Sequence, residues 1–249
     1  MSEPTEHPDP ATVDSPTDVA QLSTDLLAAL RSDQSVDEYV QTIANLGSSA
    51  LDRLGTDVDA AKTFWINCYN AAAQIGFREL TAPLENRRQF FGDRRFVVAG
   101  TPVSLDDIEH GILRASMSKY GFGYLPALFR TDFERRHRLR AVDHRIHFAL
   151  NCAAASCPPI RSYHAERIDD ELDLATASYL DAEASYDPDA GVVEVPRLLL
   201  WYRGDFGGRE GIYDLLQRHD IVAEGERPSV SYRSYDWTPA AAKFAEGDD

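Results

Sequence analysis

Cysteine is scarce in this chain. Three cysteines in 249 residues cannot all pair with one another, so a disulfide framework is not expected, and at most Cys152 and Cys157 could form one local bridge. Lysine is scarcer relative to its usual abundance: Lys62, Lys119 and Lys243 are the whole complement, and 25 basic residues face 41 acidic ones for a net charge of -16. A phosphate backbone demands clustered positive charge, so nucleic acid is not an expected partner. Such an acidic, lysine-poor surface fits a salt-rich cytoplasm, where screening relieves self-repulsion. No long apolar run and no basic-then-apolar leader is present, and the expectation is a cytoplasmic protein without a membrane span. Internal repeats are also missing, as is any second Cys or His pair at the usual zinc spacing.

What remains is ordinary globular material, with 43% hydrophobic and 10% aromatic residues, enough to bury a core without staples. Residues 1–16, rich in Pro, Thr, Glu and Asp, read as a disordered acidic leader. Residues 17–237 read as one domain and 238–249 as an acidic tail. Val19, Leu22, Leu26, Leu27 and Leu30 recur at helical spacing, and Val36 to Leu54 does so again, which predicts two amphipathic helices packed as a hairpin. A third helix is predicted over 57–80. It places Asn67, Asn70 and Gln74 on one face at i, i+3 and i+7, amides that must find partners if they are buried. Cys68 falls on its apolar stripe as an inert core thiol. Phe96 to Val103 reads as a hairpin turning near Ala99-Gly100, after which Ser104 and Asp107 approach a capping box for a helix carrying Glu109 and His110. Further helices are predicted at 132–140, 168–184 and 210–219, with strands at 145–151, 191–195 and 229–232. The implied fold is α+β, a small, mainly antiparallel sheet flanked by several helices.

The densest chemistry lies in the run from His147 to Pro159, where an apolar, strand-like stretch ends in Asn151, Cys152, three alanines, Ser156, Cys157 and two prolines. A lone buried cysteine packs as a small hydrophobe. Here thiol, amide, hydroxyl and imidazole crowd together, and that points to nucleophilic chemistry. A reactive thiol needs a lowered pKa, a base, an orienting group and donors for an oxyanion. Cys157 is the first candidate nucleophile, with Pro158 opening a helical turn behind it, and Cys152 is the second. His110 is the first candidate base and His147 the second. Glu109 or one of Asn67, Asn70 and Asn151 would orient it, and the amides near Ser156 and Cys157 would form the oxyanion hole. Asn67, Asn70, His147 and Ser156 complete the binding set, although anchoring a neighbouring loop is the plainer role for the two helical asparagines. A rival reading takes His147, Cys152 and Cys157 as zinc ligands at His-x4-Cys-x4-Cys spacing, and it lacks an obvious fourth ligand. The function these residues support is a thiol-dependent hydrolase or acyl transferase without a cofactor, acting on a small molecule or peptide; a non-catalytic binding module is the alternative.

Phe64-Trp65-Ile66-Asn67 to Asn70, Ser104 to Arg114, Arg145 to Arg161, Trp201-Tyr202 with Asp205-Phe206-Gly207, and Tyr232 to Trp237 occur in fixed order. Together these words resemble the domain of unknown function 547 family over residues 57–237. The resemblance implies no established activity. The order of His110 ahead of Cys157 is similar to a papain- or transglutaminase-like dyad after circular permutation, an analogy that leaves function open.

Overall fold

The computed structural model describes residues 13 and 15–245. Nine α-helices and five short strands lie among them: α1 (Pro16–Arg31), α2 (Asp37–Ala44), α3 (Ser48–Leu54), α4 (Val58–Glu79), α5 (Arg87–Gly92), α6 (Asp132–His137), α7 (Ile168–Glu183), α8 (Leu198–Trp201) and α9 (Gly208–Arg218), with β1 (Phe96–Val98), β2 (Thr101–Val103), β3 (Ser185–Asp187), β4 (Val192–Val195) and β5 (Ser229–Tyr232). The class is α+β. β1 and β2 form one antiparallel pair, while β4 pairs antiparallel with β3 and parallel with β5.

Helix α4 is the central element. Asp57 caps it by accepting from the Asp59 and Ala60 amides at 3.1 Å, and most of its length from Ala60 to Gly76 is buried. Helix α1 lies along it, started by a full capping box in which Ser15 and Asp18 satisfy one another's amides at 3.1 Å. The segment predicted as one helix over 36–54 is two. Helix α2 ends at Ala44 because the Ala99-Gly100 turn donates its amides to the Ile43 and Ala44 carbonyls at 3.0 and 2.8 Å, which ties off the last turn. That turn joins two paired strands through two residues of positive φ, 47° and 73°, the geometry that matches strand twist in a tight hairpin.

Two apolar clusters meet across the run His144–Phe148. Ile146 packs in the larger cluster with α1 and α4, and Phe148 in the smaller one with β4, α8 and α9. The strand predicted at 145–151 is not formed. His144–Phe148 is a 3-10 helix whose start is capped by Asp143 accepting from the Arg145 amide at 3.1 Å. Ile146, His147 and Phe148 are all buried, so alternation along this stretch has no exposed side to report on. Helix α6 is shorter than the predicted 132–140, ending at His137.

Two boundaries also change. The leader lies outside the described residues except for Val13, which is buried in the core, Ser15, which caps α1, and Pro16, which opens that helix. Residues 238–245 are not a detached tail. They run beside the cysteine loop, with Ala240 N–H on Ala153 O at 2.8 Å, Ala245 N–H on Ile160 O at 2.9 Å, and Lys243 Nζ on Ala155 O and Cys157 O at 3.1 and 2.8 Å.

Candidate active site

The loop from Ala149 to Pro159 is built by amides. Asn70 donates to Ala149 O at 3.0 Å and accepts from Asn151 N–H at 2.8 Å. Asn151 in turn donates to Pro158 O at 2.6 Å and accepts from Ala153 N–H at 2.7 Å, and Gln74 donates to its Oδ1 at 3.3 Å. Asn67 does the same work one turn earlier, clamping both backbone groups of Tyr163 at 2.9 and 3.1 Å. These asparagines are 0% exposed, and their amides hold the loop. Ser156 is likewise engaged: Asp236 N–H donates to its Oγ at 2.9 Å, and its carbonyl accepts from Tyr179 at 2.7 Å.

This scaffold sets the two thiols side by side. Cys152 Sγ and Cys157 Sγ are 2.8 Å apart, and both cysteines are buried. The pair is asymmetric. Cys157 Sγ accepts from the Cys152 N–H at 3.1 Å and from Tyr235 O–H at 3.2 Å, whereas Cys152 Sγ lies 3.8 Å from the same hydroxyl. Burial raises the Cys157 pKa, but the Cys152 thiol, Tyr235 and the Cys152 amide outweigh it and bring it down to about 7. The Cys152 thiol, donating to its neighbour and buried, is pushed well above its ordinary value. Cys68 is raised by burial alone. The hydrogen-bond donors thus select Cys157 as the thiolate.

The expected helical turn after Pro158 does not form, so no helix end supports the thiol. The amides expected as an oxyanion hole are also taken, Ser156 N–H by Asp236 O and Cys157 N–H by Ala154 O.

A cavity of about 80 Å³ opens beside the thiols. Glu109, His147, Trp201, Tyr202 and Tyr235 line it together with Cys152 and Cys157; His110 does not. His147 Nε2 lies 2.8 Å from Asp205 Oδ2, and its ring stacks on Tyr202 at 3.8 Å and 13°. Burial raises the Asp205 pKa, but the bonds to His147 and Arg114 outweigh it and keep the carboxyl ionised. A carboxylate only accepts, so the proton on His147 sits on Nε2 and the lone pair on Nδ1. Burial, opposed by Asp205, lowers the His147 pKa, and the ring is neutral near pH 7.

Asp205 is itself held by Arg114, whose Nε and Nη2 donate to its two oxygens at 2.6 and 3.1 Å. The Arg114 side chain is 0% exposed, and its guanidinium also lies over the Tyr202 ring at 4.7 Å. A buried guanidinium cannot lose its charge, so Asp205 and Arg114 each make the other tolerable. Arg114 Nη1 lies 2.9 Å from His110 Nδ1. Since arginine only donates, His110 Nδ1 is an acceptor already in use, and its Nε2–H faces Asp106 at 3.6 Å. The Nδ1 lone pair of His110 is thus occupied by Arg114, and the ring lines a larger neighbouring cleft instead. Glu109, the next residue, accepts from Tyr202 O–H at 2.6 Å and Tyr69 O–H at 3.2 Å. Burial raises its pKa, but His110, Tyr202 and His147 lower it further, and it is ionised.

Glu109, His110 and Arg114 owe their arrangement to a π-helical segment, Asp107–Leu113, in which Arg114 N–H reaches Glu109 O at 2.8 Å. Ser104 and Asp107 do form the reciprocal cap in front of it, at 3.0 and 3.1 Å. The turn that presents Asp205 is fixed by a backbone-to-backbone contact: Gly204 N–H donates to Phe122 O at 2.7 Å, and a Cβ on Gly204 would lie 2.4 Å from the Gly123 carbonyl. Only glycine fits there.

Sequence reading missed Arg114, Asp205, Tyr202 and Tyr235 as site residues. Arg114, Tyr202, Asp205 and Tyr235 figured only within the words that carry the family resemblance. Zinc finds no support, since among the described residues no three His, Cys, Asp or Glu side chains gather in a way that could hold a metal ion. A larger cavity, about 980 Å³, lies elsewhere. It is lined by Lys62 and Arg145, whose charges are paired with Asp143, and it contains no cysteine.

The fold and site together define an α+β protein with a buried thiol pair beside a carboxylate-held imidazole. The chain matches the family described as "Protein of unknown function, DUF547" over residues 55–180, about half its length, and it belongs to that family. No curated protein and no solved structure matches it. Among the described residues no helix is long and apolar enough to cross a membrane.

Proposed function

We propose that the cavity is the active site of a thiol-dependent hydrolase or acyl transferase, with Cys157 as nucleophile, His147 as base and Asp205 as the group that orients His147. The observation that carries this reading is the opening of Cys157, His147 and the Asp205-fixed tautomer onto one 80 Å³ cavity. His147 Nδ1 takes the proton of the Cys157 thiol. The thiolate adds to the substrate carbonyl, forming an S–C bond. The tetrahedral oxyanion collapses and breaks the bond to the leaving group, which departs with the proton from His147. Water or a second acceptor, deprotonated by His147, then cleaves the thioester. Tyr235 O–H and Cys152 N–H, which hold the thiolate at rest, are the donors nearest the reacting centre once sulfur has been acylated. Arg114 and Tyr202 are positioning residues, acting through Asp205 and through the His147 ring.

An activated ester, p-nitrophenyl acetate, with mass mapping of the acetylated peptide tests the reading. The acetyl group is expected on Cys157 and absent in Cys157→Ser. His147→Gln should slow acetylation on the order of a hundredfold, the usual worth of a general base. Acetylation confined to Cys68, or an unchanged rate in His147→Gln, overturns it.

A further inference from the structure

The thiol cavity adjoins a larger cleft of about 740 Å³, and Phe91, Glu109, Trp201, Tyr202 and Trp237 line both. Two of the chain's three tryptophans therefore stand where the two spaces join. An aromatic passage leading to a thiol takes an apolar or aromatic chain.

The charges around the cleft decide what the other end of that chain carries. Its two carboxylates are engaged, Asp106 by Lys119 and Glu109 by the hydroxyls of Tyr202 and Tyr69. Its remaining cations are Arg87 and Arg88, at the start of α5 on the exposed rim. Neither has a carboxylate within ion-pairing distance among the described residues; Arg87 instead lies over the Trp237 ring at 4.4 Å. In a chain of net charge -16, two adjacent arginines left without an acid above an aromatic wall form a local reversal of sign. A planar guanidinium with free donors is suited to a carboxylate or phosphate.

We infer that the cleft binds amphiphiles that are anionic at one end and apolar along the chain, with the anionic group on Arg87 and Arg88 and the chain laid over Trp237 and Trp201 towards Cys157. Resting on the thiol reading, the inference makes the substrate class acyl compounds whose reacting carbonyl lies at the far end from a carboxylate or phosphate. Cationic peptides are disfavoured by the same charges.

The test uses binding alone, so that it stands apart from turnover. Decanoate, decan-1-ol and decylamine, each below its micellar concentration, are titrated against the intrinsic tryptophan fluorescence, to which the cleft's Trp201 and Trp237 contribute beside the buried Trp65. Decanoate is expected to bind most tightly, by on the order of fivefold for each guanidinium it meets, the worth of a partly exposed ion pair. Arg88→Glu, an exposed change that leaves the core untouched, should abolish the preference for decanoate over decan-1-ol. Raising KCl from about 0.1 M to 1 M, which shortens the screening length from about 10 to 3 Å, should shrink the preference. Equal binding of all three probes, or a decanoate preference that survives Arg88→Glu, overturns the inference. The two readings fail separately: an acetylatable Cys157 in a protein that does not prefer decanoate sinks only this one, and decanoate selectivity with an inert Cys157 sinks only the catalytic one.

Discussion

Replacing Tyr235 by Phe removes one hydroxyl and little else, because the ring keeps its contacts with Trp201 at 4.9 Å and Trp237 at 4.6 Å. The lost hydrogen bond spans 3.2 Å to Cys157 Sγ and favours the thiolate over the thiol. Hydrogen bonds to charged groups contribute about 1.5–3 kcal/mol, and sulfur, a diffuse acceptor, belongs at the lower end. At about 1.4 kcal/mol per pKa unit, the change should raise the Cys157 pKa by about one unit, from about 7 to about 8. At pH 7 the thiolate fraction then falls from about one half to about one tenth, and alkylation slows about fivefold. Iodoacetamide labelling against pH, read peptide by peptide, measures this, and the ultraviolet absorbance of the thiolate gives the same midpoint without reagent entering a buried site. The Cys157 midpoint should move by one unit while Cys68 does not change. An unmoved midpoint in Tyr235→Phe, or a Cys152 that ionises before Cys157, would refute the account of which thiol is activated and why.

Asp205→Asn should slow Cys157 acetylation strongly, because an amide can donate to His147 Nε2 and leave the wrong nitrogen basic. It should also destabilise the protein by about 3 kcal/mol by stranding Arg114; chemical denaturation together with the acetylation rate checks both. Asp143→Asn should cost about 2–3 kcal/mol, since Lys62 and Arg145 lose their shared carboxylate while Asp169 stays near both. The Asp143 pKa is held below its unfolded value, so that stability is present above about pH 4 and fades as pH falls through the folded value. The difference between wild type and variant in denaturant melts should accordingly narrow in acid. Hydrogen peroxide should take one hydrogen from each of Cys152 and Cys157, leaving two waters and a disulfide. Mass spectrometry should find both cysteines in one cross-linked peptide with Cys68 unmodified, and Cys152→Ser should instead retain a sulfenic acid on Cys157 that dimedone traps.

Much of the local structure was legible from residue type and spacing. The long buried helix around Asn67 and Asn70, the turn at Ala99-Gly100 and the cap of Ser104 with Asp107 all follow from short-range rules. The run His144–Phe148 escaped because a segment buried on every side shows no period, and a 3-10 turn between two cores then looks like a strand. The cysteine loop announced itself by composition. The environment of the two histidines did not, because the bond from His147 reaches 58 residues along the chain to Asp205, while His110 is met by Arg114 one turn away. Nothing in the residues around Asp205 marks it as the partner of both His147 and Arg114.

The contact between Gly123 and Gly204 bears on how the site is entered. Lys119 to Phe122 form one wall of the cleft, and the backbone of the next residue is pressed against the residue before Asp205 with no side chain between them to yield. Under the proposed mechanism, an occupant that widened the mouth on that side would press on the turn carrying the carboxylate bound to His147, so entry to the cleft and the orientation of the imidazole would be coupled.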